Sequence, residues 1–94
     1  MTYSEILSKR ILALCEERNL SVRALAKKSG LSQSTLDDIV NHKIYSPGIE
    51  IIKLISFGLD ISHLEFLDFS ALNDLSFESA LQMKKEQVAK RKRQ

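Results

Sequence analysis

Residues 21–41 read SVRALAKKSGLSQSTLDDIVN, and this stretch contains the most informative pattern in the chain. Its first serine is a good N-cap, and residues 22–29 follow as a short helix that Gly30 can end by adopting a positive φ angle. Ser32 is a second N-cap residue, placed before a helix over about 33–40. The pattern therefore predicts two short helices joined by a tight turn at glycine.

The apolar residues of this stretch lie where two crossing helices would touch. Ala26 is small at the point where the second helix must approach closely, and Leu31 fills the turn. Leu36 and Ile39 share one face of the second helix, which predicts that this face packs on a core. The polar side of the same helix is formed by Gln33, Ser34, Asp37 and Asp38.

Helical patterns continue on both sides. Apolar residues recur at spacings of three and four through Leu7, Ile11 and Leu14, which predicts a first helix over about 4–18. Ser46 and Pro47 are interpreted as the N-cap and first residue of a fourth helix that ends near residue 57 or 58. A short helix over 63–67 and a last helix from about residue 76 are also expected. Because no stretch alternates apolar and polar residues, the predicted fold class is all-α.

Length and composition restrict the class of protein. A chain of 94 residues, 44% hydrophobic and 28% charged, is typical of one globular domain. No apolar run approaches the roughly 20 residues that span a bilayer, and the first residues lack a signal-peptide pattern, so a cytoplasmic protein without a membrane partner is expected. The single cysteine, Cys15, cannot form an internal disulfide, and His42 and His63 complete no metal-ligand spacing. No metal, cofactor or catalytic constellation is expected, and the protein is not predicted to be an enzyme.

The charge is distributed unevenly. The chain has a net charge of +2, but residues 84–94 contain six basic residues against Glu86 alone, so this tail carries +5 and residues 1–83 carry −3. Attraction to an anionic partner must therefore come from local clusters or from the basic terminus.

The pattern as a whole resembles the helix-turn-helix of the Cro and lambda-repressor family. The resemblance extends over about residues 4–68, from the first helix to the sequence LDIS at 59–62. It implies a lambda-repressor-like five-helix domain over 1–69, with helices 2 and 3 as the motif, and a partly helical C-terminal extension with a basic tail over 70–94. It also implies sequence-specific binding of double-stranded DNA by a homodimer on a palindromic operator, and a role as a transcriptional repressor.

The resemblance assigns roles to individual residues. Gln33, Ser34 and Asp38 occupy positions that reach base edges, where a glutamine amide can bond adenine and a carboxylate can accept from cytosine N4. Asp37 and Asp38 also repel phosphates, so they are interpreted equally well as solvated charges. Contacts to the DNA backbone are expected from Ser21, Arg23, Thr35, Asn41 and Lys43. The tail residues Lys90, Arg91, Lys92 and Arg93 are interpreted either as a solvated terminus or as an arm on DNA.

The sequence departs from the family pattern at three places. Val22 stands where many relatives have a glutamine that contacts the backbone. Cys15 and Val40 stand where the family commonly has an arginine and a glutamate in an ion pair, and an apolar contact is the expected substitute. His42 stands where a glycine usually ends helix 3, so Asn41 or His42 is expected to adopt the left-handed conformation.

The fourth helix is apolar on more than one face. Ile51, Leu54 and Phe57 form a surplus stripe, and we expect the C-terminal extension and a second subunit to cover it.

Two other functions remain open from the sequence. One is an antitoxin-type or other interaction module whose residues 70–94 bind a partner protein, and the other is a structural helical domain that never contacts DNA.

Overall fold

The computed structural model describes residues 2–44 and 47–92, apart from the side chains of residues 87 and 90–92. Seven helices and no strand occur in these residues, so the predicted all-α class is confirmed there. In chain order the helices are α1 Tyr3–Glu17, α2 Val22–Ser29, α3 Gln33–Val40, α4 Ile49–Gly58, α5 His63–Leu67, α6 Ser70–Asn73 and α7 Phe77–Lys92. The short α6 was not predicted from the sequence.

Serine side chains begin three helices at the predicted positions. Ser21, Ser32 and Ser62 each accept a hydrogen bond from the backbone N–H three residues later, at 3.0, 3.1 and 3.0 Å. Each bond satisfies one of the N–H groups that have no partner inside a first helical turn. The starts of α2, α3 and α5 are therefore local consequences of the sequence.

The predicted start of α4 is wrong. Gly48 is the N-cap and makes no side-chain hydrogen bond, so the helix begins at Ile49 and Pro47 lies before it. The proposed cap, Ser46, lies outside the described residues. The fixed φ angle of proline suits an extended segment as well as a first helical turn, and Gly48 continues that extended segment with φ −69° and ψ 168°. The end of α4 at Gly58 agrees with the prediction.

Helices α1 to α4 all end in a left-handed turn. The turn residues are Asn19, Gly30, His42 and Asp60, with φ angles of 51, 73, 64 and 59°. In each turn the next residue donates its N–H to a carbonyl five residues earlier, at 2.8, 3.0, 2.8 and 3.1 Å. This is the Schellman arrangement, which gives partners to carbonyls at a helix end. Of the two residues expected to be left-handed after α3, His42 is the one that adopts the conformation.

The first five helices enclose one hydrophobic core. Cys15 is buried in it, and Val40 is partly buried and packs against it. The direct apolar contact between these two residues stays a prediction. Burial raises the pKa of the Cys15 thiol, and the charge of Arg18 lowers it in part. The cysteine is therefore a small apolar core residue.

Two arginines, Arg10 in α1 and Arg18 at its C-cap, bind the ends of later helices. Arg10 donates from Nε and Nη2 to the carbonyls of Phe66 and Glu65, each at 3.0 Å, and its guanidinium lies 5.0 Å from the centroid of the Phe69 ring. Arg18 donates from Nε to the Leu59 carbonyl at 3.1 Å. These two cations connect α1 to the C-terminal ends of α5 and α4.

The C-terminal extension lies against the N-terminal part of α1. Ile6 and Met83 are buried there, with 3% and 6% of their surfaces exposed, and they line a groove together with Leu75. The extension does not cover Phe57, which is 74% exposed, so the cover that the extension was expected to give the surplus stripe of α4 does not include this residue. Cover by a second subunit stays a prediction. Ile51, the first residue of that stripe, packs instead against the core of its own chain.

Candidate nucleic-acid interface

The turn between α2 and α3 fixes the geometry of the motif. Gly30 adopts φ 73°, and its N–H bonds the Lys27 carbonyl at 3.3 Å while Leu31 bonds the Ala26 carbonyl at 3.0 Å. Ser32 then caps α3, so only two residues separate the last residue of α2 from that cap. The sequence alone predicted this turn, because each of its bonds depends on a glycine or serine at one position.

The first turn of α3 is exposed on one side and buried on the other. Gln33 and Ser34 are exposed, whereas Leu36 and Ile39 are 0% and 2% exposed and face the core. This division holds α3 by its apolar face and leaves the amide and hydroxyl at its start accessible. The two side chains are accessible to a ligand that approaches along the outer face of α3.

Thr35 and Ser32 are joined by reciprocal hydrogen bonds. The Thr35 N–H donates to Ser32 Oγ at 3.1 Å, and Ser32 Oγ donates to Thr35 Oγ1 at 2.8 Å. The Ser32 hydroxyl hydrogen is therefore used within the chain, while the Thr35 hydroxyl hydrogen can still be donated outward.

The two acidic residues of α3 are partly buried. Asp37 and Asp38 are both half-buried, whereas the sequence placed them simply on the polar side of the helix. The Asp38 carbonyl accepts the N–H of Lys43 at 2.8 Å, so the chain folds back and brings Lys43 to the end of α3. A positive side chain thus follows directly on the acidic part of this helix.

The other polar candidates lie at the ends of α2 and α3. Ser21 and Arg23 are exposed at the start of α2, where Ser21 Oγ accepts the Ala24 N–H at 3.0 Å and keeps its own hydrogen. Asn41 and Lys43 are exposed after α3. Free backbone N–H groups, hydroxyl hydrogens and cations at helix ends are the groups that bind phosphate oxygens.

Two serines on α1 hold the far end of α3, and sequence reasoning missed them. Ser8 is 2% exposed and donates from Oγ to the Val40 carbonyl at 2.7 Å. Ser4 Oγ lies 3.4 Å from His42 Nδ1, within hydrogen-bonding distance. The signal was available, because residues 4, 8, 11 and 15 have helical spacing and place both serines on the buried face of α1.

Two groups of predicted residues are not part of the surface that α2 and α3 form. The side chains of Lys90, Arg91 and Lys92, and the whole of Arg93, lie outside the described residues. Ile51 and Leu54 are half-buried, and Phe57 is the exposed member of their stripe.

None of the helices in the described ranges is long and apolar enough to cross a membrane.

The chain is similar to a solved structure and to a family of proteins. No curated protein matches the chain. A solved structure that is similar to it is the crystal structure of the prophage Lp1 protein 11, with 29% sequence identity and a TM-score of 0.72. The similarity covers 80% of this chain and 99% of that chain.

A family model described as "Helix-turn-helix" matches residues 11–66, inside the region over which the sequence resembled the Cro and lambda-repressor proteins. The match contains α2, the turn and α3, together with most of the helices that hold them. Members of this family are typically not enzymes. Since the match covers more than half of the chain, the protein belongs to the Cro/C1-type helix-turn-helix family of DNA-binding transcription regulators.

Proposed function

We propose that the protein represses transcription by occupying an operator as a homodimer, with α3 of each subunit in the major groove. The observation that carries this proposal is the division of α3 into a buried apolar face and an exposed first turn with Gln33 and Ser34. A major groove about 12 Å wide admits one α-helix, and the N-terminal residues of such a helix contact base edges.

Three side chains read bases in this proposal. The Gln33 amide donates to N7 and accepts from N6 of adenine, and the two bonds together distinguish adenine from the other bases. The Ser34 hydroxyl donates or accepts and discriminates less. The Asp38 carboxylate accepts from cytosine N4 at a position farther along the helix.

The remaining polar groups position the domain on the DNA backbone. Ser21, Arg23 and Thr35 approach one strand through hydroxyl hydrogens and a cation, and Asn41 and Lys43 contact it beyond the end of α3. Lys90, Arg91, Lys92 and Arg93 add a basic arm, which offsets the net negative charge of residues 1–83. These contacts raise affinity for all sequences alike.

Repression by this protein requires only occupancy. A dimer of residues 1–69, joined with the help of the extension 70–94, places two α3 helices on half-sites about 34 Å apart, so the operator is palindromic. Binding at a site that overlaps a promoter excludes the polymerase, and the ratio of specific to non-specific affinity sets the degree of repression.

The test is selection of duplexes from a randomised pool, followed by anisotropy titration of the selected duplex and a shuffled one at two salt concentrations. We expect a preference for the selected duplex at both. Gln33→Ala should weaken binding to the selected duplex by roughly 10- to 100-fold and leave binding to the shuffled duplex unchanged. Gln82→Ala, which alters an exposed glutamine on α7, is the matched control and should change neither.

The backbone contacts have a different signature. Lys43→Ala should weaken binding to both duplexes equally and lower the salt slope by about one unit, whereas Lys9→Ala, an exposed lysine on α1, should not. Equal binding of the selected and shuffled duplexes by the unchanged protein would contradict the proposed function.

A further inference from the structure

Helix α7 carries a line of exposed apolar side chains. Phe77, Leu81 and Val88 are 78%, 42% and 36% exposed, and their spacings of four and seven place them on one side of the helix. We call these three residues the α7 stripe. Their spacing matches alternate positions of a heptad, with Lys84 at the position between Leu81 and Val88.

The α7 stripe faces away from the groove on α1. Met83, which is buried against α1 with Ile6, lies two residues after Leu81 and therefore about 200° around the helix. One face of α7 is thus committed to its own chain, and the opposite face exposes the stripe. An exposed line of large apolar side chains on a helix marks an interaction surface.

The stripe of α4 is a weaker candidate for such a surface. Ile51 packs against the core, which leaves Phe57 as its exposed member, 74% accessible. Ile49, the other large apolar residue that α4 exposes, is 61% accessible but lies about 80° around the helix from Phe57, so the two do not form one line. The α7 stripe, by contrast, keeps all three of its side chains accessible.

The charges beside the stripe indicate what covers it. Glu78 and Lys85 are both exposed and lie seven residues apart, so they share one flank of the stripe. Glu78 directly follows Phe77, and Lys85 directly follows Lys84. When two helices pack antiparallel, residues on the same flank face one another across the interface. Glu78 of one copy then faces Lys85 of a second copy, and the two-fold axis repeats the pair.

We propose that the α7 stripe packs antiparallel on the α7 stripe of a second copy of this chain. In that register Phe77 lies opposite Val88, and Leu81 lies opposite Lys84. The aliphatic stem of Lys84 covers Leu81 while its ammonium group reaches water. A lysine at such a position lowers the stability of the pair but favours one register.

The second copy fits better than an unrelated protein because the pattern is self-complementary. A two-fold interface requires that one surface match itself, and the opposite charges of Glu78 and Lys85 meet that requirement only in the antiparallel orientation. This inference deepens the proposed function, on which its link to a palindromic operator rests, by naming the surface that joins the two subunits.

The first experiment measures the mass of the full chain without DNA by sedimentation equilibrium at micromolar concentrations. We expect a dimer, and Leu81→Asp should weaken it by roughly 100-fold or more because two buried leucines are lost. Leu12→Asp is the matched control, since Leu12 on α1 is 43% exposed against 42% for Leu81. Circular dichroism checks that both variants keep the helical content of the unchanged protein.

Charge exchange tests the register. Glu78→Lys and Lys85→Glu should each weaken self-association by roughly five- to tenfold, because each places like charges opposite one another. An equimolar mixture of the two variants should associate as tightly as the unchanged protein, since every facing pair is then opposite in sign. A merely structural role for either residue would not produce recovery on mixing.

Two results would overturn the inference. One is a monomeric unchanged protein, and the other is a dimer that Phe57→Asp disrupts while Leu81→Asp does not. Neither result affects recognition of a single half-site, because the Gln33→Ala measurement is made on DNA and reports on α3. The dimer and the base-reading surface can therefore fail separately.

Discussion

Helices α2 and α3 have the same length and the same kind of cap, but different neighbours hold them. Each has eight residues and follows an N-cap serine whose hydroxyl oxygen accepts a backbone N–H. α2 packs chiefly against α4, and α3 packs chiefly against α1. The two helices of the motif are therefore positioned by different helices of the domain.

The two supports differ in chemistry. α2 meets α4 at Gly58, where the absence of a side chain allows Leu25 and Ser29 to approach closely. α3 meets α1 partly through polar groups, with Ser8 donating to the Val40 carbonyl. The tight turn therefore sets the start of α3, whereas a hydrogen bond from another helix orients its far end.

The largest effect is expected on the α2 side. In Gly58→Ala the added Cβ would overlap Ser29 Oγ and lie 3.0 Å from Leu25 Cδ1, so we expect a loss of roughly 2–3 kcal/mol in the free energy of unfolding. Urea denaturation measures it. Gly48→Ala is the control, because a Cβ there has no atom within 4 Å, and it should cost less than about 1 kcal/mol. Equal losses would contradict the close approach.

The corresponding change on the α3 side is Ser8→Ala. It removes the donor to the Val40 carbonyl and should lower the free energy of unfolding by roughly 1–2 kcal/mol. The substitution should also increase the rate of amide hydrogen exchange more in the last turn of α3 than in α2. The control is Ser56→Ala, because Ser56 is equally buried but donates to the Ile52 carbonyl of its own helix. Similar exchange in both helices would show that this bond does not orient α3.

The two caps allow a smaller and more direct comparison. Ser21→Ala and Ser32→Ala each lose one cap bond, worth about 1 kcal/mol. Ser32→Ala should cost a few tenths more, because the bond from Ser32 Oγ to Thr35 Oγ1 is lost as well. Thermal unfolding of both variants and of the double variant measures the difference. A larger loss for Ser21→Ala would reverse the expected order.

The smallest effect concerns the residues that end the two helices. His42 adopts φ 64°, so His42→Gly should relieve about 1 kcal/mol of left-handed strain and lose the contact with Ser4, for a net gain of about 0.5 kcal/mol. Gly30→Ala, at φ 73°, should instead lose about 1 kcal/mol. Unfolding in urea reports both. Destabilisation by His42→Gly would mean that the ring contact with Ser4 exceeds the strain.

Local signals explain why most helix boundaries could be predicted. A serine cap or a left-handed turn needs only neighbouring residues, so the ends of α2 and the start of α3 follow from Ser21, Gly30 and Ser32. The start of α4 could not be read in this way. A proline fits both a first helical turn and the extended chain before it, and Gly48 allows the second arrangement.

The candidate interface was only half predictable. The exposed positions Gln33 and Ser34 follow from the cap and the apolar spacing of α3, which are local properties. The hydrogen bond from Ser8 to the Val40 carbonyl joins residues 32 apart in the chain, and its partner is a backbone atom that no sequence pattern marks. The roles of Arg10 and Arg18 were missed for the same reason.

The sequence by itself determined the all-α class, the motif and the faces of α2 and α3, because apolar periodicity and capping act over a few residues. Only the tertiary structure decided which surplus apolar residues stay exposed. Ile51 and Phe57 are equivalent in sequence pattern, yet the core covers one and leaves the other open. Burial depends on which helices pack together, and that choice is made by the whole core at once.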